Sequence, residues 1–386
     1  MADTTAIVAI SRRGAVIGAR VRNALGGNAA LYAEQRFLGD AISVQTVQKP
    51  SPVHPAPVEG QDHQPAQNAI PFDLPARPLV ARLFVECERL VLMMPVGAAV
   101  RLLAAHIGDK HSDCAVVCVD DGGRFAVSLL SGHIGGADAL AEQVARAIDA
   151  TAVITSASHA LNTIAVDLLG AALGWRIEAS SQMVTRASAA MVNGEPVGIY
   201  QDSGERDWWD TNRPLPSNIT VCDTIDALAA FPNALVISDR TDVSERVAAQ
   251  GHRTLVVYKP RSLVVGIGSR RGVDFAEVDA LLRDTFRANR LAIESVRCIA
   301  TAELKRDEAG INMLAEHLGV PVLHYEADEL NATPGPSGAS ESQRLLGIVG
   351  VAEPAVLLAS GADIIVPKVR SESATLAVAR IVHENI

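Results

Sequence analysis

One glycine-rich segment carries the residues best suited to chemistry. Residues 131–136 read Ser-Gly-His-Ile-Gly-Gly and connect an apolar run that predicts a strand to a pattern that predicts a helix. Glycines let a ligand approach the backbone, and the start of a helix offers N–H groups that no helical carbonyl accepts. Histidine is the side chain that titrates nearest to neutral pH, so a residue such as His133 suits general acid or base catalysis. We therefore predict a functional site here, with His133 as the proton-transfer residue.

A second segment, residues 109–113, is a cluster of charged and polar side chains, Asp-Lys-His-Ser-Asp. It connects a predicted helix to a predicted strand. In α/β sheets the reactive loops lie at the carboxyl ends of strands, whereas this loop precedes one. A solvated connection is therefore the simpler interpretation, and a direct role for this loop is the alternative.

Two segments 258 positions apart resemble each other, residues 6–14 (AIVAISRRG) and 264–272 (VVGIGSRRG). Each predicts a strand, then Ser-Arg-Arg-Gly, then a helix. Chance reuse of a common motif is one interpretation, and the other is a pair of anion sites in which arginines and helix N–H groups meet carboxylates. The second segment lacks the last glycine of a dinucleotide-binding fingerprint. A further charged run, residues 305–308, reads as an exposed helix start with Asp307 as the N-cap.

The elements that must position these residues alternate between strands and helices. This alternation predicts an α/β fold of three consecutive units, each with a mostly parallel sheet covered by helices. We place the units at 1–160, 161–260 and 263–386. A stretch rich in proline, residues 49–78, cannot bury a core and is predicted to form a loop without secondary structure.

Composition narrows the class of protein. The 386 residues are 48% hydrophobic and 20% charged, which supplies a core, and the net charge of −10 argues against nucleic-acid binding. No apolar stretch reaches the roughly 18 residues that a membrane span needs, and the N-terminus does not resemble a secretory signal. Five scattered cysteines predict free thiols in a reducing compartment. We expect a cytoplasmic protein that holds no metal.

Taken together, the motifs resemble the CbiG family of anaerobic cobalamin biosynthesis. In order and spacing, the segments that carry this resemblance in the N-terminal half are 92–101, 109–113, 128–137 and 152–155. The C-terminal half is similar to the CobE/CbiG C-terminal domain, through residues 266–272, 304–310, 333–337, 350–355 and 366–368.

The resemblance implies a hydrolase acting on cobalt-precorrin-5A, a contracted tetrapyrrole with many carboxylate arms and a δ-lactone. Water opens the lactone and acetaldehyde leaves. It also implies that cobalt arrives with the substrate, that no cofactor is required, and that neighbouring pathway enzymes are partners. A carrier that binds corrinoid intermediates without chemistry is the alternative.

The same resemblance assigns roles to the residues above. His133 transfers the proton, with His111 and Asp113 as alternatives. The residues expected to bind the substrate are Ser131, Gly132, Gly135, Gly136, Lys110, Arg12, Arg13, Arg270 and Arg271.

Overall fold

The apolar runs of the sequence become the strands of three sheets. The structure, a computed structural model, describes residues 4–43, 69–108, 112–132, 135–156, 161–209, 214–333 and 350–382. One sheet lies in the first of two units, Met1–Leu161, and two lie in the second, Asn162–Ile386. Most strands of each sheet point the same way and helices cover the faces, so the predicted fold class is confirmed. The domain boundaries placed near residues 160 and 260 stay predictions. No helix in the described ranges is long and apolar enough to cross a membrane.

The first unit is built on seven strands. They are β1 Thr5–Ala9, β2 Ala29–Glu34, β3 Ile70–Phe72, β4 Arg89–Met93, β5 Ala115–Val119, β6 Phe125–Leu130 and β7 Thr151–Val153, in the order β3-β2-β1-β4-β5-β6-β7. The helices are α1 Arg12–Leu25, α2 Leu38–Ser43, α3 Arg77–Glu86, α4 Val96–Leu103 and α5 Ala137–Ile148. Ile7 packs into the core on one face of the sheet and Val8 into the core on the other. Because β1 is buried on both faces, its sequence is continuously apolar rather than alternating.

Strand β6 reverses direction relative to its neighbour β5. Val116 of β5 lies opposite Leu130 of β6, and Val119 lies opposite Ala126, in an antiparallel pair. The other pairs of this sheet are parallel. The carboxyl end of β6 therefore lies beside the amino end of β5, at the edge of the sheet opposite to the carboxyl ends of β1 and β4.

The prediction that residues 49–78 hold no secondary structure is wrong at its C-terminal end. Strand β3 pairs in parallel with β2 there, and helix α3 begins at Arg77. Pro71 is tolerated because β3 is an edge strand, where a missing N–H costs no ladder hydrogen bond. Pro78 lies in the first turn of α3, where an N–H would have no helical acceptor, so the N–H that proline lacks is not missed. Residues 49–68 lie outside the described ranges.

The second unit contains a central and a C-terminal sheet. The central strands are β8 Arg176–Glu178, β9 Val197–Gln201, β10 Ile219–Cys222, β11 Asn233–Ile237 and β12 Thr254–Lys259, in the order β10-β9-β11-β12-β8 with only β8 antiparallel. Their helices are α6 Ser181–Val192 and α7 Thr241–Ala248. A short 3₁₀ segment, Asp226–Ala230, precedes β11.

The C-terminal sheet has five further strands. They are β13 Leu263–Ser269, β14 Val296–Ala302, β15 Val322–Tyr325, β16 Ile364–Arg370 and β17 Ala374–Arg380, in the order β15-β14-β13-β17-β16. The helices are α8 Phe275–Ala288, α9 Ala309–Leu318, α10 Ala327–Ala332 and α11 Ala352–Ser360. The sequence pattern did not predict strand β17, which runs antiparallel to both of its neighbours.

Two alternate glycines of β13 allow α11 to pack directly on the strand. A Cβ atom on Gly266 would lie 2.0 Å from the carbonyl oxygen of Ala352, and one on Gly268 would lie 3.2 Å from the Cβ of Val351. The first distance is shorter than real Cβ contacts allow, and the second is tighter than most of them. The Gly-Ile-Gly run therefore serves the contact between helix and strand.

A buried polar cluster joins the central sheet to the C-terminal sheet. Asp239, which follows β11, is fully buried. Its carboxylate accepts two hydrogen bonds of 2.7 Å from the guanidinium of Arg380 and one of 2.7 Å from the hydroxyl of Ser262. Carboxyl ends of parallel strands are where α/β sheets commonly bind ligands. At the carboxyl end of β11, Arg380 and Ser262 contact Asp239 where a ligand would commonly bind.

Candidate active site

The segment 131–136, called here the glycine turn, connects β6 to α5. Ser131 has a φ of +55° and Gly136 a φ of +84°, so the chain bends sharply at both ends of the turn. Ala137 donates its N–H to the carbonyl oxygen of Ser131 at 3.1 Å, and Asp138 donates to that of Gly132 at 3.0 Å. Two N–H groups at the start of α5 are therefore used inside the turn. Binding of a ligand by other N–H groups of the turn stays a prediction.

Close packing explains two of the glycines. A Cβ atom on Gly135 would lie 2.4 Å from the Cβ of Ser131, and one on Gly132 would lie 2.7 Å from Oδ1 of Asp138. The carboxylate of Asp138 therefore lies against the backbone of the turn. Asp138 is not among the predicted site residues, although an acidic residue in the first turn of a helix is a recognisable signal.

The glycine turn contacts the 109–113 loop. The hydroxyl of Ser131 donates a 3.0 Å hydrogen bond to the carbonyl oxygen of Asp113. The carboxylate of Asp113 accepts from the N–H of Gly108 at 3.2 and 3.0 Å. The rule about carboxyl ends disfavoured this loop, but the reversed β6 places its own carboxyl end beside it. Lys110, His111 and His133 lie outside the described residues, so their positions stay predictions.

The arginines Arg12 and Arg13 lie at the other edge of the same sheet. They begin α1, directly after β1, and both are exposed. Arg12 forms an ion pair with Asp40 at 3.4 Å. A five-residue strand such as β5 separates the two edges by about 16 Å at 3.3 Å per residue. The structure therefore does not bring Arg12 and Arg13 to the glycine turn.

The other arginine pair lies in residues 269–273, called here the arginine loop. Arg270 and Arg271 follow β13 and are exposed, but α8 begins only at Phe275. The predicted order of strand, Ser-Arg-Arg-Gly and helix is found, and a loop with a φ of +78° at Gly272 separates the arginine pair from the first turn of α8. The N–H groups of Gly272 and Val273 donate to Oε1 of Glu308 at 2.6 and 3.1 Å. These backbone donors are bound to a carboxylate of the protein itself.

The cysteines are poorly suited to nucleophilic catalysis. All five are free thiols. Burial raises the pKa of Cys114 and of Cys118 to about 12, so both stay protonated at neutral pH, and a protonated thiol is a weak nucleophile. Within the described ranges, no group of three or more His, Cys, Asp or Glu side chains could hold a metal ion. The absence of a resident metal stays a prediction.

The variant Gly135→Ala tests the packing of the glycine turn. We expect a loss of about 1–3 kcal/mol in the free energy of unfolding, because the added methyl group overlaps Ser131. Urea unfolding followed by circular dichroism measures it. Gly27→Ala is the matched control, since a Cβ there meets nothing within 4 Å. Equal stability of the two variants would show that the turn relaxes without cost.

Comparison with known proteins identifies the class to which this fold and site belong. Three family descriptions match: Cobalamin synthesis G N-terminal over residues 78–159, Cobalamin biosynthesis central region over 164–260 and Cobalamin synthesis G C-terminus over 263–379. These three stretches cover the glycine turn, the central sheet and the arginine loop.

Curated proteins of cobalamin biosynthesis match this chain over most of their own length. A Priestia megaterium protein named cobalt-precorrin-5A hydrolase is 37% identical over 82% of this chain and 85% of its own. A Salmonella typhimurium protein of the same name is 31% identical over 80% of this chain and 86% of its own. Protein CobE of Sinorhizobium sp is 33% identical over 30% of this chain and 79% of its own. The chain belongs to the CbiG family.

Proposed function

We propose that this chain is a cobalt-precorrin-5A hydrolase. The observation that carries the proposal is the 37% identity to a curated enzyme of that name over 82% of the chain. The reaction consumes one water molecule, opens the δ-lactone of the substrate and releases acetaldehyde, which leaves cobalt-precorrin-5B. Such a reaction needs a group that transfers a proton, donors that stabilise the charge developing on the lactone oxygen, and cations for the carboxylate arms.

We assign proton transfer to the region of the glycine turn. His133 is the proposed catalytic residue, with His111 and Asp113 as alternatives. The contact between Ser131 and the carbonyl oxygen of Asp113 supports this assignment, because it joins the two segments that hold all three candidates. Ser131, Gly132, Gly135, Gly136 and Lys110 are the proposed substrate contacts of this region.

We assign carboxylate binding to the exposed arginines. Arg270 and Arg271 are the proposed contacts in the second unit, since guanidinium groups pair with carboxylates through two hydrogen bonds. Arg12 and Arg13 are kept as a separate proposed contact, because they lie at the edge of their sheet away from the glycine turn. Cobalt belongs to the substrate in this proposal, and the protein needs no cofactor of its own.

The proposal extends to the setting of the enzyme. Five free cysteines are typical of proteins from a reducing compartment, which supports a cytoplasmic location. Neighbouring enzymes of cobalamin biosynthesis are proposed as partners, because they supply the substrate and take the product.

Release of acetaldehyde from cobalt-precorrin-5A tests the function. The purified chain should release one acetaldehyde for each substrate consumed, measured by coupling to alcohol dehydrogenase and NADH oxidation. Saturable binding of the substrate without any acetaldehyde would instead support the carrier function. The curated relatives named as hydrolases do not favour that outcome.

The double variant Arg270→Gln/Arg271→Gln tests the carboxylate contacts. We expect KM to rise about 2- to 30-fold and its dependence on salt to flatten, as the loss of two exposed ion pairs at about 0.2–1 kcal/mol each implies. The melting temperature should hardly change. Arg287→Gln/Arg290→Gln removes the same charge from the far end of α8 and is the matched control. An unchanged KM at both low and high salt would show that the pair does not touch the substrate.

A further inference from the structure

The arginine loop is held in place by a carboxylate whose own helix does not use it. Glu308 stands at the N-cap position of α9, yet its side chain makes no hydrogen bond to that helix. Oε1 accepts instead from the N–H groups of Gly272 and Val273, at 2.6 and 3.1 Å. Glu308 is only 8% exposed, so these are largely buried, charge-assisted contacts. The carboxylate therefore binds a loop that lies 36 positions earlier in the chain.

A lysine of the same segment neutralises this carboxylate. Nζ of Lys305 lies 3.4 Å from Oε2 of Glu308, and the Lys305 side chain is 13% exposed. The prediction that residues 305–308 form an exposed charged surface with Asp307 as the N-cap is therefore wrong. Two of the four charges form a mostly buried ion pair, and Glu308 precedes the helix. A pair with this little exposure is tolerated where further hydrogen bonds satisfy it, as the two N–H groups do here.

The other end of the arginine loop is fixed as well. Arg270 donates its N–H to the carbonyl oxygen of Ser373 at 2.7 Å. Ser373 is itself held by Glu277 of α8, whose carboxylate accepts from the Ser373 N–H at 2.7 Å and from its hydroxyl at 2.6 Å. These bonds, together with one from the hydroxyl of Ser371, lower the pKa of Glu277 to about 2. Two protein carboxylates thus hold the loop, directly at one end and through Ser373 at the other.

This arrangement decides which groups of the loop are left for a ligand. In phosphate-binding loops, the ligand accepts from consecutive backbone N–H groups. In the arginine loop, Glu308 already occupies those of Gly272 and Val273. A Cβ atom on Gly310 would lie 2.3 Å from the carbonyl oxygen of Val273, so the start of α9 packs tightly on the same backbone. The side chains of Arg270 and Arg271 are exposed, and guanidinium groups suit spaced carboxylates better than a phosphate cradled by backbone.

We propose that Glu308, neutralised by Lys305, is a positioning residue that holds the arginine loop ready for the carboxylate arms of a tetrapyrrole. The inference rests on the proposed function for its ligand. A loop fixed before binding loses less conformational entropy when the ligand arrives, and this gain appears as affinity. Glu308 acts through Arg270 and Arg271 and does not itself touch the substrate.

The variant Glu308→Gln tests the proposal. It preserves the size of the side chain but places an amide next to the ammonium group of Lys305, so the ion pair is lost. We expect KM to rise about 2- to 12-fold, the equivalent of ordering one long side chain on binding, with kcat unchanged. Asp279→Asn, which breaks the ion pair with Arg283 on α8, is the matched control and should leave KM unchanged. If Glu308→Gln does not fold, the double variant Lys305→Gln/Glu308→Gln removes both charges and takes its place.

Non-additivity separates positioning from a merely structural role. In the background Arg270→Gln/Arg271→Gln, Glu308→Gln should raise KM no further, because the side chains through which it acts are gone. A full additional increase in KM, or a fall in kcat at constant KM, would overturn the proposal.

A second readout keeps this test independent of catalysis. Uroporphyrin III carries carboxylate arms but no lactone, and its fluorescence reports binding to each variant. If the wild type releases no acetaldehyde but binds uroporphyrin III, the proposed function fails while the same additivity test still decides the role of Glu308. If the wild type binds neither compound, both proposals are overturned.

Discussion

The variant His133→Ala is expected to lower the rate of acetaldehyde release by about 10²–10⁴-fold, the usual contribution of a general acid or base. His133 stands among glycines, and a packing role for an imidazole is poorly served there. KM should change far less than kcat, because the proposed contacts of the carboxylate arms are the exposed arginines and not His133. A coupled assay under saturating substrate measures the loss, and circular dichroism checks that the variant is folded.

Two comparisons make this result specific. His106→Ala removes an exposed imidazole of the same unit and should leave turnover unchanged. His111→Ala and Asp113→Asn remove the alternative proton-transfer groups. Turnover of His133→Ala close to that of wild type, with a large loss in either alternative, would move the catalytic role to the 109–113 loop.

The variant Asp239→Ala is expected to cause the largest loss of stability. It leaves the guanidinium of Arg380 and the hydroxyl of Ser262 without their shared carboxylate at the junction of two sheets. Removing one partner of a buried ion pair costs about 3–5 kcal/mol, and we expect about 3 because Arg380 keeps 27% exposure. Urea unfolding measures the free energy of unfolding.

Asp226→Ala is the control for this prediction. It breaks an exposed pair with Arg246, in which the two side chains are 85% and 56% exposed, and should change the free energy of unfolding by less than about 0.5 kcal/mol. Similar losses in the two variants would show that the buried cluster contributes no more than a surface pair. Replacing Asp239 and Arg380 together by leucines should recover part of the loss, since no charge is then left buried alone.

The sequence predicts those strands that are continuous apolar runs, as buried strands of a parallel sheet are, and misses others such as β14 and β17. β5, with the sequence AVVCV, and β13, with LVVGIGS, are examples of the apolar runs. The glycine turn is predicted as a strand-to-helix connection because an apolar run precedes it and a helical pattern of apolar residues follows it. The alternation of elements, and with it the α/β class, could therefore be predicted.

The direction of β6 could also have been predicted from the length of its connection to β5. Only residues 120–124 separate the two strands, and parallel neighbours need a crossover of about a dozen residues or more. A connection this short requires an antiparallel hairpin. The hairpin places Asp113 beside Ser131 and leaves Arg12 at the other edge of the sheet, so the sequence alone contained both facts.

The role of Glu308 could not be predicted in this way. Its partners, Gly272 and Val273, are 36 and 35 positions away, and local patterns carry no information about such contacts. The run Lys-Arg-Asp-Glu looks like a solvated surface because burial is decided by packing between elements. Sequence spacing gives the candidates for a site, and tertiary contacts decide which of them meet.

The pairing of β13 with β17 has a consequence for the history of the chain. Leu263 lies directly opposite Arg380 in the register of these strands, so the C-terminal sheet begins and ends at one corner. A segment whose two ends adjoin can be cut from one gene and joined to another, or expressed alone, with its strand order intact. The match to Protein CobE covers 122 residues of this chain, a length close to that of the segment from Leu263 to Arg380. A segment cut from this chain at that corner keeps Arg380 but loses Asp239, the carboxylate that accepts two hydrogen bonds from its guanidinium.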